Sequence, residues 1–325
     1  VGLLIQGKWH DQWYNTEENK GHFKRSESQF RNWVTEDGSA GPSGIAGFKA
    51  EVGRYHLYVS HACPWANRAM IFRQLKGLEQ VIDYSVVHWR MQDQGWTFED
   101  GDGVIPDPIN NAELLHQVYT AADSQYTGRV TVPILWDKQQ QTIVSNESSE
   151  IIRMFNSAFN KAGANALDFY PLGLREQIDA INERVYSDIN NGVYKCGFAT
   201  SQDAYEASLS ALFTSLDWLE EKLSSQRYLC GNQLTEADWR LFTTLVRFDS
   251  VYVGHFKCNL KRIADYPNLQ AYLCDLYQHA NVSETVNMDH IKKHYYISHT
   301  MINPSQVVPQ GPFLDFSVKH GRDTM

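Results

Sequence analysis

Tyr55-His56-Leu57-Tyr58-Val59-Ser60-His61-Ala62-Cys63-Pro64-Trp65-Ala66 reads as a short strand, a tight connection and a cysteine placed where a helix begins. Residues 55–59 are mostly β-branched, aromatic or aliphatic, which suits a buried strand. Pro64 has a fixed φ and no N–H, and both properties favour the first position of a helix. Behind it, apolar residues at 66, 69, 70, 72 and 75 keep close to helical spacing through Lys76. Cys63 therefore falls at or next to the N-cap, where free N–H groups and the helix dipole favour a thiolate, the nucleophilic form. The competing reading is a small buried hydrophobe, the commoner fate of a cysteine; the strand–proline setting favours reactivity. A dithiol site would carry a second cysteine three positions on, and that position is Ala66. The thiol that resolves Cys63 must come from elsewhere, and a small diffusible thiol is the simplest supplier.

Outward from this stretch, Val81–Val87 reads as a second strand, so residues 54–87 form a βαβ unit with parallel strands and a right-handed crossover. Residues 89–128 are a long insertion with Gly95, Gly101, Gly103, Pro106 and Pro108, and insertions of this length are often functional. Val130–Trp136 reads as a third strand with Pro133 inside it, and one reason for that place is a cis peptide bond that leaves the N–H and C=O of Val132 free. Residues 142–144 form a fourth short strand, and Ser145–Glu150 opens a helix to about Phe159 with usual capping residues. Taken alone, Glu147 and Ser148 are ordinary helix-start residues.

After a linker at 160–173 the pattern turns helical, over about 174–191, 203–224, 236–252, 266–279 and 283–298. Thr235-Glu236-Ala237-Asp238 fits a capping box, so Asp238 is assigned to helix initiation rather than chemistry. Residues 1–53 are turn-rich but hold Trp9, Trp13, Tyr14, Phe23, Phe30 and Trp33; they read as a mostly irregular arm pinned to the body by its aromatics. Residues 299–325 read as an irregular tail.

Composition narrows the classes. The 325 residues suffice for two domains, and 42% hydrophobic with 21% charged is ordinary for a globular chain. The net charge of −9 gives a nucleic-acid role no support. The five cysteines, at 63, 196, 230, 258 and 274, are odd in number and lack C-x-x-C pairs, against a disulfide framework or a structural zinc site. No metal is expected. No apolar run approaches a membrane span of about 18–20 residues, and the first residues lack the pattern of a signal peptide. A cytoplasmic setting with no membrane partner is the expectation.

The order of elements resembles the glutathione transferase plan, and local motifs narrow the match. Cys63-Pro64-Trp65-Ala66, Gly128-Arg129-Val130-Thr131-Val132-Pro133, Ser145-Asn146-Glu147-Ser148, Asn191-Gly192-Val193-Tyr194-Lys195 and His294-Tyr295 resemble the glutathionyl-hydroquinone reductases, the Xi class of that superfamily. The resemblance spans nearly the whole chain. It implies an α/β thioredoxin-like domain (βαβ-ββα) at 54–160 that binds glutathione, and an all-α domain at 174–298 that carries the quinol pocket. It implies reduction of glutathionyl-hydroquinones, with glutathione as co-substrate and a homodimer as the assembly. Cys63 would be the nucleophile, left as a mixed disulfide that a second glutathione resolves. Glu147 and Ser148 would bind the γ-glutamyl end of glutathione, Val132 its cysteinyl backbone, Arg129 a carboxylate, and Trp96 would pack along the tripeptide. Tyr194 and Tyr295 would line the quinol pocket and assist protonation. Alternatives are a general glutathione-dependent thiol transferase or dehydroascorbate reductase, which share Cys63 but not the tyrosines, and a non-catalytic interaction module. Cys196, two residues from Tyr194, reads as structural.

Overall fold

The computed structural model describes residues 2–325, and along them the chain changes unit three times. The residues up to Trp13 and Ser26–Asp168 form one compact unit; Tyr14–Arg25 and Phe169–Met325 form the other.

In the first unit, the arm begins with β1 (Leu3–Ile5) and β2 (Lys8–His10), paired antiparallel with Ile5 opposite Lys8. The sequence reading expected irregular chain here. The overlooked signal is Gln6-Gly7, whose φ values of 48° and 73° are the two left-handed residues that a tight hairpin turn requires. Next come β3 (Tyr55–Val59), α1 (Pro64–Leu75), β4 (Asp83–Val86), α2 (Leu115–Ala122), β5 (Gly128–Arg129), β6 (Ile134–Asp137), β7 (Thr142–Ser145) and α3 (Ser148–Ser157). The main sheet has the order β4-β3-β6-β7. β3 and β4 are parallel across the α1 crossover; β6 runs antiparallel to β3, and β7 antiparallel to β6. Every residue of β3 is buried, as a central strand covered on both faces must be.

The strand expected over 130–136 forms only from Ile134 on, as β6, and the short β5 just before it, at Gly128–Arg129, belongs to a second sheet. β5 pairs with β1 of the arm, and β6 joins the main sheet after the cis Val132–Pro133 bond. Pro133 offers no N–H to a ladder, so pairing with the main sheet begins only beyond it. The insertion is more ordered than expected. It contains α2, and the Asp107 carboxylate gathers it by accepting from the Tyr58 hydroxyl at 2.8 Å and the Ile109 N–H at 2.9 Å. The arm closes the open edge of β7: Asn32 N–H donates to Val144 C=O at 3.0 Å and Asn146 N–H to Phe30 C=O at 3.2 Å.

The second unit holds α4 (Arg175–Arg184), α5 (Gly192–Gly197), α6 (Gln202–Leu223), α7 (Glu236–Arg247), α8 (Pro267–Gln278) and α9 (Met288–Ser298). The two helices expected over 174–191 and 236–252 both widen at their ends into π-helical turns, Val185–Asn190 and Phe248–Tyr252. Side chains hold both turns: Asn190 donates to Arg240 C=O at 3.0 Å, and the Asp249 carboxylate accepts from Ile263 N–H at 2.6 Å. The helix expected over 283–298 is interrupted because Asn287 caps a new start, accepting from His290 N–H at 2.9 Å. The Asp238 capping box forms as read. Its fully buried carboxylate also accepts from Leu229 N–H at 2.9 Å and the Tyr272 hydroxyl at 2.7 Å. Among the described residues, no helix is long and apolar enough to cross a membrane.

Candidate active site

Cys63 is the N-cap of α1, with extended backbone (φ −75°, ψ 122°) and Pro64 at the first helical position. Its C=O accepts the first helical hydrogen bond, from Asn67 N–H at 3.0 Å, and its N–H is held by Ser60 C=O at 3.2 Å. The thiol is half-buried and lies 3.6 Å from the Val132 carbonyl. The four other cysteines are buried. Burial pushes the Cys230, Cys258 and Cys274 thiols above the usual thiol range, and Cys196 beside Cys258 adds to the effect there. Position and exposure therefore single out the cysteine at the helix start.

Val132 stands across from Cys63 at the cis proline. Among the described residues its N–H donates to no protein acceptor, and its carbonyl is the one that the Cys63 thiol approaches. An extended peptide laid here would find one backbone donor and one acceptor, the minimum of a strand-like pairing. Tyr119 of α2 braces this loop and the start of α3 together: its hydroxyl donates to Thr131 C=O at 2.9 Å and accepts from the Asn146 amide at 3.1 Å.

Glu147 is the N-cap of α3, and Ser148 is its first residue. The Glu147 carboxylate accepts from Ser149 N–H at 3.1 Å, the Ser149 hydroxyl at 2.8 Å and the Ser28 hydroxyl at 3.0 Å. Burial works against its charge, but these donors and the positive Arg68 outweigh it, so the group sits below the usual carboxylate range. Arg68, on α1 and 1% exposed, donates to the Ser148 hydroxyl at 3.4 Å and stacks 4.6 Å over Trp65. The result is a charged carboxylate at a helix start, backed by a buried cation. It suits an ammonium beside Glu147 and a carboxylate at the helix N-terminus, the two groups of a γ-glutamyl end. Arg68 and Ser28 escaped the sequence reading. Arg68 looks like an ordinary helix residue, and Ser28 reaches the site only because the arm folds back along β7.

The remaining residues of the first unit stand differently. The Arg129 guanidinium donates to the backbone carbonyls of Gln12 and Trp13, where it fastens the arm. Trp96 is buried, and its C=O accepts from Leu115 N–H at 2.9 Å.

In the second unit, Tyr194 of α5 and Tyr295 of α9 meet through their hydroxyls at 2.5 Å. Tyr252, from the π turn after α7, places its hydroxyl 3.0 Å from that of Tyr295. Three phenols from three distant stretches thus gather their hydroxyls, Tyr252 also lying against Tyr194, inside a cluster of Phe198, Phe256, His255 and His299. Burial, with the neighbouring Tyr194, pushes the Tyr252 and Tyr295 phenols well above their usual range. Tyr252 was not anticipated; a buried tyrosine in a helix carries no signal of its partner.

The chain matches the family models for the glutathione S-transferase N-terminal domain over residues 62–158 and the C-terminal domain over residues 202–273. It is 56% identical to a glutathionyl-hydroquinone reductase of Escherichia coli strain K12, covering 99% of each chain. It is also 56% identical to a glutathionyl-hydroquinone reductase of Sphingobium chlorophenolicum, covering 96% of each. Among solved structures it is similar to a glutathione-bound glutathione transferase homolog of Escherichia coli K-12, at TM-score 0.92, 54% identity and 99% coverage of both chains. A Xi-class glutathione transferase of Natrialba magadii aligns at TM-score 0.91 and 44% identity, covering 100% of this chain and 97% of its own.

Proposed function

The chain belongs to the glutathionyl-hydroquinone reductases, the Xi class of the glutathione transferases, and from that membership we propose how its residues carry out the reaction. The enzyme reduces glutathionyl-hydroquinones to hydroquinones with glutathione as co-substrate. The Cys63 thiolate attacks the glutathionyl sulfur. The C–S bond breaks, its electron pair stays on the ring carbon, and that carbon takes a proton to give the hydroquinone. Cys63 is left in a mixed disulfide with glutathione. The thiolate of a second glutathione attacks the glutathionyl sulfur of that disulfide, releasing oxidised glutathione and the Cys63 thiolate.

Val132 pairs with the cysteinyl backbone, and Glu147 and Ser148 take the γ-glutamyl end. Arg129 takes a glutathione carboxylate, and Trp96 packs along the tripeptide. Tyr194 and Tyr295, carried by the helical domain, stabilise the oxygen charge of a keto tautomer or hand over the proton. The observation that carries this reading is Cys63 itself, a half-buried thiol at a proline-started helix, 3.6 Å from the Val132 carbonyl, with Ala66 where a second cysteine would stand. We place the enzyme in a reducing cytoplasm as a homodimer, which light scattering checks.

The test supplies glutathionyl-menadiol and glutathione and follows menadiol and oxidised glutathione together. Cys63→Ser is expected to lower turnover by more than about a thousandfold, as loss of a covalent nucleophile does. Turnover that survives the substitution overturns the mechanism.

A further inference from the structure

The arm segment Tyr14–Arg25 belongs to the second unit, although the chain on both sides of it belongs to the first. It is well fastened. Thr200 N–H donates to Gly21 C=O at 3.0 Å, the Ser201 hydroxyl to Lys20 C=O at 3.1 Å, and the Thr200 and Thr16 hydroxyls are 3.0 Å apart. Phe23 is buried, with its ring 4.8 Å from Tyr14 and 5.3 Å from Phe198. These contacts deliver one cation to the tyrosine chain. The Arg25 guanidinium carbon lies 4.8 Å from the centroid of the Tyr194 ring, and its Nε–H donates to the Asn191 side chain at 2.8 Å. Asn191 precedes Tyr194 by three residues, at the start of the same short helix, so the hydrogen bond fixes the cation over that ring.

A cation over an aromatic face is attracted by the ring's electrons, and the attraction grows when the ring carries negative charge. Tyr295 and Tyr252 lie further along the same hydroxyl chain. We propose that Arg25 is a positioning residue that makes Tyr194 the member of the tyrosine chain that gives its proton to the substrate ring. The inference rests on the proposed role of these tyrosines in the reaction. As the C–S bond breaks, the ring carbon keeps the bonding pair and receives the proton of the Tyr194 hydroxyl. The phenolate left behind is held by the Tyr295 hydroxyl and the Arg25 charge, and water returns the proton before the next turnover.

A double-mutant cycle with glutathionyl-menadiol tests this. Arg25→Gln removes the charge but keeps a donor for Asn191. It is expected to lower kcat about tenfold with little change in the KM for glutathione, within the range for a desolvated cation–π contact. In a Tyr194→Phe background the same substitution is expected to cost under about twofold, because the group it acts through is gone. Arg25→Lys, which keeps the charge, is expected to recover most of the loss. An equal loss from Arg25→Gln in both backgrounds marks a merely structural role and overturns the inference. So does Arg25→Lys as poor as Arg25→Gln. Full activity of Tyr194→Phe overturns the tyrosine assignment and this inference together. An impaired Tyr194→Phe with an unimpaired Arg25→Gln overturns this inference alone.

Discussion

The two units build their sites by different physics. In the first, chemistry gathers at the starts of elements: Cys63 opens α1, Glu147 opens α3, and Val132 lies at the cis proline before β6. Among them the Glu147 carboxylate is held in its charged form. In the second, Tyr194, Tyr252 and Tyr295 come from a short helix, a π turn and a long helix, and meet by packing. Of its groups, Tyr252 and Tyr295 are buried, and burial keeps their phenols neutral. A site at helix starts survives as local sequence because the backbone does the positioning. A site made by packing exists only once distant helices have docked.

Acid is the sharpest probe of that contrast, with the largest expected effect. Burial pushes His255 down to about 4, helped by the positive Lys257, and burial with the neighbouring His294 and His255 pushes His299 well below its usual range. The two rings meet Nε2 to Nδ1 at 3.1 Å, a contact that needs at least one neutral ring. A histidine with a depressed value in the folded state contributes stability that is complete above its unfolded value near 6.5 and is lost as pH falls toward the folded value. For His255 alone the window from about 6.5 down to about 4 amounts to on the order of 3 kcal/mol. The first unit carries the same liability at His56, also held near 4 by burial, and at His116; the second adds His279 to its pair. Hydrogen exchange between pH 7.5 and 5 is therefore expected to show α9 losing protection faster than β3. His255→Gln is expected to flatten the α9 response. Equal loss in both units, unaffected by the substitution, would remove acid sensitivity as a distinction between them.

Glu147 tests the charged side of the comparison. Glu147→Gln keeps the shape of the side chain but removes the charge that Ser28, Ser149 and Arg68 stabilise. The expected result is a KM for glutathione raised about thirtyfold, or about 2 kcal/mol, the range of one charge-assisted hydrogen bond, with kcat at saturation nearly unchanged. Steady-state kinetics with varied glutathione measures it. A fall in kcat with an unmoved KM would mean that the carboxylate serves the chemical steps rather than binding.

What the sequence made legible follows the same line. Cys63, the cis Val132–Pro133 bond, the start of α3 and the Asp238 box could be read because each is a local rule of capping or proline geometry. The arm could not. β1 and β2 depend on a two-residue turn inside a segment that looked irregular, and β5 leaves the main sheet because β1 offers it another edge. Arg25, Ser28, Arg68 and Tyr252 were invisible for one reason: each acts through a partner at least 43 residues away, and no short pattern encodes the meeting. Tyr194 and Tyr295 were named only through the family resemblance, since buried tyrosines at helical spacing are indistinguishable from core.

The smallest expected effects lie within the tyrosine chain, and their order is informative. Tyr295 is the central hydroxyl, bonded to Tyr194 at 2.5 Å and to Tyr252 at 3.0 Å. Burial holds Tyr295 and Tyr252 in their neutral forms, so neither carries charge in the working range. In the proposed reaction each would serve as a hydroxyl that steadies its neighbours. Tyr295→Phe removes the bond to Tyr194 and is expected to lower kcat about tenfold with the KM for glutathione unmoved, the cost of one hydrogen bond to a developing charge. Tyr252→Phe removes a longer contact of the same cluster and is expected to cost about threefold. Tyr252 also neighbours Tyr194 directly, so the double substitution is expected to cost more than Tyr295→Phe alone. A double no worse than Tyr295→Phe would show that Tyr252 acts on Tyr194 only through Tyr295, and the three hydroxyls would work as a relay rather than as a mutually bonded cluster.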